Sequence, residues 1–512
     1  MYLTQSLHRA LQQFPDRPMT VCGDRVRTTR EVVERVARLA SALRGLGVRT
    51  GDRVGMLALN SDRCHEFLFA CWWTGAVAHP VNTRWSEREI AYAVQDSGTG
   101  VLLVDDACAP LVPGLREHCP GLRTLVHCGD GPAPEDGMVG YEELIADSDP
   151  APDARLGGDT VGLLLYTGGT TGLPKGVMIT HQGLITSLHG SILSNEAVER
   201  GGVTLLTVPM FHIAGLCGWY AQTMMGGTDV FLPSFTPEDF LEAVRRHRVT
   251  TTILVPVMVQ SICEHPRFGS YDLTSLETVT YGGAGSPESL LRLAMESFPG
   301  ARFTQGYGMT ETGVLTMLTH EDHLAGGPRL RSAGRATPTT ELAVVDPAGR
   351  PLPPGEIGEI VTRNRLMTGY WNKPEQTARA LDDGWTHTGD AGRLDRDGYL
   401  YIVDRLKDMI VTGGENVYSA EVENALAAHP AVAACAVIGV PDRRWGERVH
   451  AVVTLRPGHT TTPDELRTHT RTLIARYKTP RTIDITDTLP RTAAGKILKR
   501  QLRDACADRP AD

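Results

Sequence analysis

An α/β architecture is what the sequence predicts: a large N-terminal domain of α/β layers with a small β-barrel-like part, then a small α+β C-terminal domain. Three observations lead there. The chain has 512 residues, and at roughly 150 residues per domain that is more than one hydrophobic core organises. Helical periodicity alternates with short apolar runs through the first two thirds, the signature of strands buried between helices. The texture then changes twice, to short strands with Gly, Pro and Asp turns around Leu330 to Arg405, and to a compact mixed segment after Asp408.

The elements follow in order. Arg30 to Leu46 places apolar side chains three and four apart and reads as a helix; GDRVGMLAL then gives a turn and a strand. A helix resumes over Glu66 to Val77, and VLLVD at 101–105 is a strand. Further strands are expected at Val161 to Tyr166, Thr204 to Val208, Thr251 to Val255 and Thr278 to Tyr281. Past Asp408, a helix (Ser419 to His429), two strands (Ala433 to Val440, Arg448 to Leu455) and a second helix (Thr462 to Tyr477) form a unit of their own. The predicted domains are therefore 1–404 and 409–512, joined at 405–408.

Composition narrows the function. Apolar residues make up 41% and charged residues 22%, which argues against disorder, collagen and coiled coil. With 51 basic and 60 acidic side chains, a net charge of -9 gives no electrostatic reason to seek nucleic acid or an anionic membrane. Ten scattered cysteines show no CxxC pair and no metal-ligand spacing, so reduced thiols are expected. The N-terminus has no apolar h-region and no stretch is long enough to span a bilayer, so the expected location is the cytoplasm.

The sharpest local feature is YTGGTTGLPKGV, Tyr166 to Val177, between an apolar strand and a helical run opening near Thr180. Glycines let backbone N–H groups converge on an anion, the hydroxyls of Thr167, Thr170 and Thr171 add donors, and Lys175 adds charge. That is a polyphosphate cradle. It is not the GxxxxGK[ST] loop, because Pro174 precedes the lysine and Gly176 stands where a magnesium-binding hydroxyl belongs.

Eight more motifs follow in order: PMFHIAG at 209, YGGAG at 281, QGYGMTET at 305, GEIGEI at 355, GYWNKPEQT at 369, THTGD at 386, DRLKDMIVTGGENVYSAEVE at 404 and PRTAAGK at 490. Together they resemble the acyl-adenylate-forming superfamily of acyl- and aryl-CoA ligases, adenylation domains and luciferases, across nearly the whole chain. Gly168 stands where many relatives have Ser, and Gly285 and Ser286 precede Pro287 where many have proline at once.

The resemblance implies a reaction: a carboxylic acid and ATP give acyl-AMP and pyrophosphate, and a thiol then takes the acyl group and releases AMP. It also implies roles. Lys175 and the loop Thr167, Gly168, Gly169, Thr170, Thr171 and Gly172 hold the β and γ phosphates. Glu311 ligates Mg2+, and Thr310 contacts the α-phosphate. Tyr307 faces adenine, with Gly282, Gly283 and Ala284 allowing close backbone approach. Asp390 accepts from the ribose hydroxyls beside Arg405. His212 lies by the carboxylate and positions it, since no base is needed to ionise an acid at neutral pH. Lys496 contacts the acid and α-phosphate during adenylation. Lys407 is the hinge of a mobile C-terminal domain, which then brings Gly413 and Gly414 to the pantetheine tunnel.

For the acid itself, Met258, Val259, Gly306, Val314 and Leu315 suggest an apolar lining that fits a fatty or aromatic chain. The cofactors implied are ATP and Mg2+, with CoA as co-substrate. A carrier protein's phosphopantetheine is an alternative acceptor, and an oxyacid such as nitrite is an alternative to the carboxylic acid. A homodimer is compatible with all three.

Overall fold

The computed structural model describes residues 1–132, 137–168, 173–195, 200–364, 366–412, 415–442, 444–491 and 497–507. The chain divides into two compact units, Met1–Leu342 with Thr362–His387, and Ala343–Val361 with Thr388–Asp512.

The first unit holds two large sheets. One has eight strands, in the order Met367–Tyr370, Lys175–Thr180, Val161–Thr167, Val77–Pro80, Arg53–Leu57, Val101–Val104, Thr124–His127 and Val139–Gly140. The other has nine, in the order Arg335–Ala336, Gly313–Leu318, Arg302–Met309, Thr278–Gly282, Thr251–Leu254, Val203–Leu206, Thr228–Phe231, Pro18–Cys22 and Arg25–Thr28. Their central strands pair in parallel, which demands helical crossovers and buries both faces.

Local chemistry accounts for the helices. Thr28 and Glu31 form a reciprocal capping box that starts Thr29–Gly45. Gly75, at φ +83°, ends Asp62–Thr74 in a left-handed cap, and the chain turns at once into Val77–Pro80. The sequence predicts one helix over Glu66 to Val77 because VAHP is as apolar as what precedes it. All residues of Asp62–Thr74 are buried, among them Asp62, Arg63 and His65 in its first turn, so charged residues that read as an exposed connection belong to the helix. Its aromatic side chains pack with those of Ile213–Met224: Phe69 and Trp72 lie against Trp219 and Tyr220 at ring centroid separations of 5.2 to 6.1 Å.

A second difference concerns the expected phosphate loop. Between that loop and the helix His181–Asn195 lies a strand, Lys175–Thr180, antiparallel to Val161–Thr167.

In the second unit, Thr388–Leu394 pairs with Leu400–Arg405 as an antiparallel hairpin. After it comes a five-stranded sheet: Glu415–Val417, Ile410–Thr412, Gly446–Leu455 and Val432–Asp442 in that order, with Thr482–Ile485 parallel to Gly446–Leu455. The helices Ser419–Ala427, Pro463–Leu473 and Lys499–Ala507 accompany it. One face buries Val437, Val449, Val453 and Leu466, the other Ile438, Val440, Val452 and Leu502. The helix expected to run to Tyr477 stops at Leu473, followed by a 3-10 turn at Arg476–Lys478. All ten cysteines are free thiols. Among the described residues, no helix is long and apolar enough to cross a membrane.

The pairing of Gly282 with Gly306 gives a test of this packing. A Cβ on Gly282 would collide with the Gly306 carbonyl oxygen, and backbone cannot rotate away. Gly282→Ala is expected to destabilise the protein by about 1–3 kcal/mol, read as a lowered melting temperature; an unchanged value would contradict the register.

Candidate active site

Thr167 pairs with Lys175 at the ends of two neighbouring interior strands of the eight-stranded sheet. Gly168 is exposed and Thr167 half-buried; Gly169, Thr170, Thr171 and Gly172 lie outside the described residues. These ends are rigid. Gly176 leaves room for the Tyr166 ring, whose hydroxyl donates to Asp96 at 2.7 Å. The helix His181–Asn195 begins only after the strand has run away from this end for six residues, roughly 20 Å. A helix dipole falls off within a turn, so the fixed positive charge at this end of the two strands is the Lys175 ammonium and not a helix N-terminus.

The next strand brings a partner that the sequence reading assigned no role. Met367–Tyr370 runs antiparallel to Lys175–Thr180, with Tyr370 opposite Val177. Lys175 is the diagonal neighbour on the same face, and its Nζ sits 5.2 Å from the centre of the Tyr370 ring. The Tyr370 hydroxyl donates to Glu311 Oε1 at 2.8 Å. Burial and the Glu311 charge push the phenol pKa up, so it remains a donor at neutral pH.

Glu311 is 8% exposed and lies in the turn from Arg302–Met309 to Gly313–Leu318. That turn is tied down on several sides. Met309 N–H donates to Thr312 Oγ1 at 3.2 Å, and the Asn364 amide donates to the Thr312 carbonyl. Gly313, at φ +65°, lies against Ser187, whose Oγ accepts from Val314 N–H at 3.3 Å. Thr310 is half-buried in the same turn. Among the described residues, no cluster of three or more His, Cys, Asp or Glu could cage a metal. A lone carboxylate suits Mg2+, which keeps waters and substrate phosphate oxygens as its other ligands.

Parallel pairing of Thr278–Gly282 with Arg302–Met309 sets Tyr281 beside Gln305 and Gly282 beside Gly306, so YGGAG and QGYGMTET end side by side. Tyr307 is half-buried, Gly283 and Ala284 exposed. Gly283 has φ +79°, which a side chain rarely adopts. Tyr281 belongs to the core: it is 2% exposed and its hydroxyl meets His323 Nε2 at 2.8 Å. Leu315 and Val259, read as pocket lining, are also fully turned inward, while Val314 and Met258 are half-buried.

His212 caps Ile213–Met224 from the loop after Val203–Leu206. That loop is stitched by Asn60, which accepts from Met210 N–H at 2.9 Å and donates to the Val208 carbonyl at 3.0 Å. His212 Nε2 is buried without a hydrogen-bond partner. Burial, then the nearby Arg84 charge, lowers its pKa to about 4, so it is neutral at pH 7.

In the second unit, Asp390 pairs with Arg405 across the hairpin, their side chains 3.5 Å apart. Lys407 lies in a 3-10 turn, Leu406–Asp408, and is exposed. Gly413, Gly414 and Lys496 lie outside the described residues. The sequence reading also passed over a concavity of about 600 Å3 lined by Arg467, Arg471, Arg476, Tyr477, Thr479, Pro480 and Arg481. Thr479 Oγ1 is buried there without a partner, and the Arg481 guanidinium lies 4.4 Å from the Trp445 ring.

Two family models cover most of the chain: AMP-binding enzyme over residues 7–371 and AMP-binding enzyme C-terminal domain over residues 421–496. The chain belongs to the AMP-binding enzyme family. It is thus an acyl-adenylate-forming ligase, as its motifs lead one to expect. A feruloyl-CoA synthase of Amycolatopsis sp is 43% identical over 94% of each chain. The fatty acid–[acyl-carrier-protein] ligase ScoC of Streptomyces coeruleorubidus is 38% identical over 98% of this chain and 95% of its own. The crystal structure of the anthranilate CoA ligase AuaEII with anthranoyl-AMP superposes with a TM-score of 0.90 at 28% identity, covering 99% of this chain and 97% of that one.

The depressed His212 pKa has a sign that can be checked. The unfolded chain binds a proton near pH 6.5 and the folded one only near 4. The contribution is therefore full above 6.5 and is lost as pH falls toward 4. His212→Gln is expected to flatten part of the stability slope in that window, measured by thermal melts at stepped pH. Identical slopes would mean that the imidazole titrates as if exposed.

Proposed function

We propose that this adenylate-forming ligase activates a fatty or aryl carboxylic acid with ATP and passes the acyl group to CoA in the cytoplasm. The observation that carries the reading is the meeting of Lys175 and Tyr370 on one sheet with Glu311 from a turn of the other, beside the paired Thr167 and Lys175.

The physical problem is charge. An acid carboxylate must approach the α-phosphate of a nucleotide that is more anionic still, and the repulsion has to be cancelled locally. Lys175 and the loop amides take the β and γ phosphates, and Thr310 takes an α-phosphate oxygen. Glu311 holds Mg2+, which when bound neutralises charge on the phosphate oxygens. Tyr307 with Gly282, Gly283 and Ala284 borders adenine, and Asp390 with Arg405 is assigned to the ribose. His212, neutral, orients the acid. Gly306 keeps the pocket open, because a Cβ there would reach only ordinary contact with Met317 Sδ at 3.5 Å and Val314 Cγ1 at 3.8 Å.

Lys496 is assigned to the adenylation transition state and has to withdraw before a thiol can attack. We therefore assign a pivot at 405–408 centred on Lys407, between 1–404 and 409–512, with Gly413 and Gly414 flanking the thiol path. The arginine-lined concavity fits the phosphorylated nucleotide end of CoA: several guanidiniums for phosphate, Tyr477 for a base. A carrier protein remains a second acceptor, favoured by the 38% identity to ScoC.

An acid panel assayed for pyrophosphate and AMP release, with and without CoA, tests the reading. Aryl or fatty acids should give pyrophosphate alone, and AMP plus thioester once CoA is added; no ATP cleavage with any acid would remove it. Lys496→Ala should slow adenylation roughly a hundred- to a thousand-fold while thiolation of a supplied acyl-adenylate continues; equal damage to both steps counts against the assignment. Arg481→Ala should raise the KM for CoA about three- to ten-fold with the KM for ATP unchanged. A shift in ATP alone would move the nucleotide end of CoA elsewhere.

A further inference from the structure

We propose that Tyr370 is the positioning residue that sets the metal-holding carboxylate and the phosphate-holding ammonium in fixed relation, its hydroxyl orienting Glu311 and its ring seating Lys175. The inference rests on the reading of Glu311 as the Mg2+ ligand and Lys175 as a phosphate contact.

One side chain touches both charges, at 2.8 Å through oxygen and with Nζ 5.2 Å from the ring centre. It is itself held from both sides. Its own N–H donates to Thr377 Oγ1 at 2.8 Å. The next residue, Trp371, donates its N–H to the Gly176 carbonyl at 2.7 Å and its indole N–H to the Asp96 carbonyl at 2.9 Å. Before it, Gly369 has φ +151°, and a Cβ there would press on Thr377 at 2.8 Å. Backbone locked on either flank leaves the ring little freedom, and a donor with little freedom orients its acceptor well.

A neutral donor also suits the task. A hydrogen bond to one carboxylate oxygen fixes the plane of the carboxyl and hence the direction of its lone pairs, while leaving the full negative charge for a cation. An ammonium or guanidinium in the same place would orient Glu311 but cancel that charge. The ring face, in turn, attracts Lys175 without neutralising it. Toward the tyrosine, both groups keep their charge for the nucleotide.

Two substitutions separate the halves of the claim. Tyr370→Phe keeps the ring and removes the hydroxyl; Tyr370→Leu removes both. Binding is measured on the full-length protein with Mn2+–ATP by electron paramagnetic resonance and with metal-free ATP in EDTA by calorimetry. Tyr370→Phe should weaken Mn2+–ATP binding about ten- to a hundred-fold and leave metal-free ATP binding unchanged, with a melting temperature within about 3 °C of the parent. Tyr370→Leu should in addition weaken metal-free ATP about two- to five-fold. Equal loss in both titrations for Tyr370→Phe, or loss in neither, overturns the proposal. Glu311→Gln is run alongside: if it leaves Mn2+–ATP binding intact, Glu311 is not the metal holder and the inference falls with that reading. If Glu311→Gln weakens it and Tyr370→Phe does not, the inference alone falls.

Discussion

The antiparallel register of Val161–Thr167, Lys175–Thr180 and Met367–Tyr370 is the constraint on which the first unit's site depends. It places a cation at the start of a strand and sets an aromatic ring beneath it from a segment far away in sequence. Parallel central strands make the rest of the sheet a stiff base. The helix His181–Asn195 leaves this sheet and reaches the other one through Ser187, against which Gly313 closes. The strand that begins at Lys175 and the turn that carries Glu311 are therefore joined twice, by Tyr370 and by that helix. Two points of attachment restrain rotation as well as distance, and orientation is what electrostatic stabilisation of a charged transition state requires.

The acidic balance of the whole chain does not oppose this. Its net charge of -9 is a long-range property that salt screens over about 8–10 Å, whereas Lys175 acts at contact. The arginine concavity of the second unit repeats the arrangement: several cations gathered on one small surface of an acidic protein. An anionic ligand responds to the nearest charges, which is why composition excludes a general affinity for polyanions without excluding a site for one.

Much of the fold was legible, and the misses share a cause. Thr29–Gly45 shows both its cap and its stripe, and so it reads correctly. Lys175–Thr180 begins inside the run Tyr166 to Val177 that reads as a loop, and its burial does not alternate, so the strand is unmarked while the helix opening near Thr180 is legible. Asp62–Thr74 loses its start because Asp62, Arg63 and His65 are charged or polar yet buried, so its first turn reads as a connection. Leu315 and Val259 read as pocket lining from their apolar character, but both are buried in the packed core. Gly282 was legible as a glycine that must be small; that its neighbour is the Gly306 carbonyl depended on register, which one sequence does not encode locally. Tyr370 stood in a recognised motif, yet its partners come from a strand pairing and a turn that only the folded chain brings together.

The second unit adds a constraint on any pivot at 405–408. Asp404 caps Ser419–Ala427: its carboxylate accepts from the Ser419 hydroxyl at 2.7 Å and from the backbone N–H groups of Ser419 and Ala420. Asp404 precedes the pivot and the helix follows it. Asp408 and Arg503, paired at 2.7 Å, both follow it, as do Lys499 and Glu423 at 2.8 Å. A rotation about Lys407 would carry those two ion pairs along intact but would pull the helix off its cap, exposing N–H groups that some other acceptor has to satisfy. Losing a helix cap costs about 0.5–2 kcal/mol, and the charged acceptor puts this one toward the upper end. That is small enough for substrate binding to overcome, and large enough that the capped arrangement is a defined state and not one of a continuum. Among the described residues, the Asp404 cap therefore ties the strand before 405–408 to the helix after it.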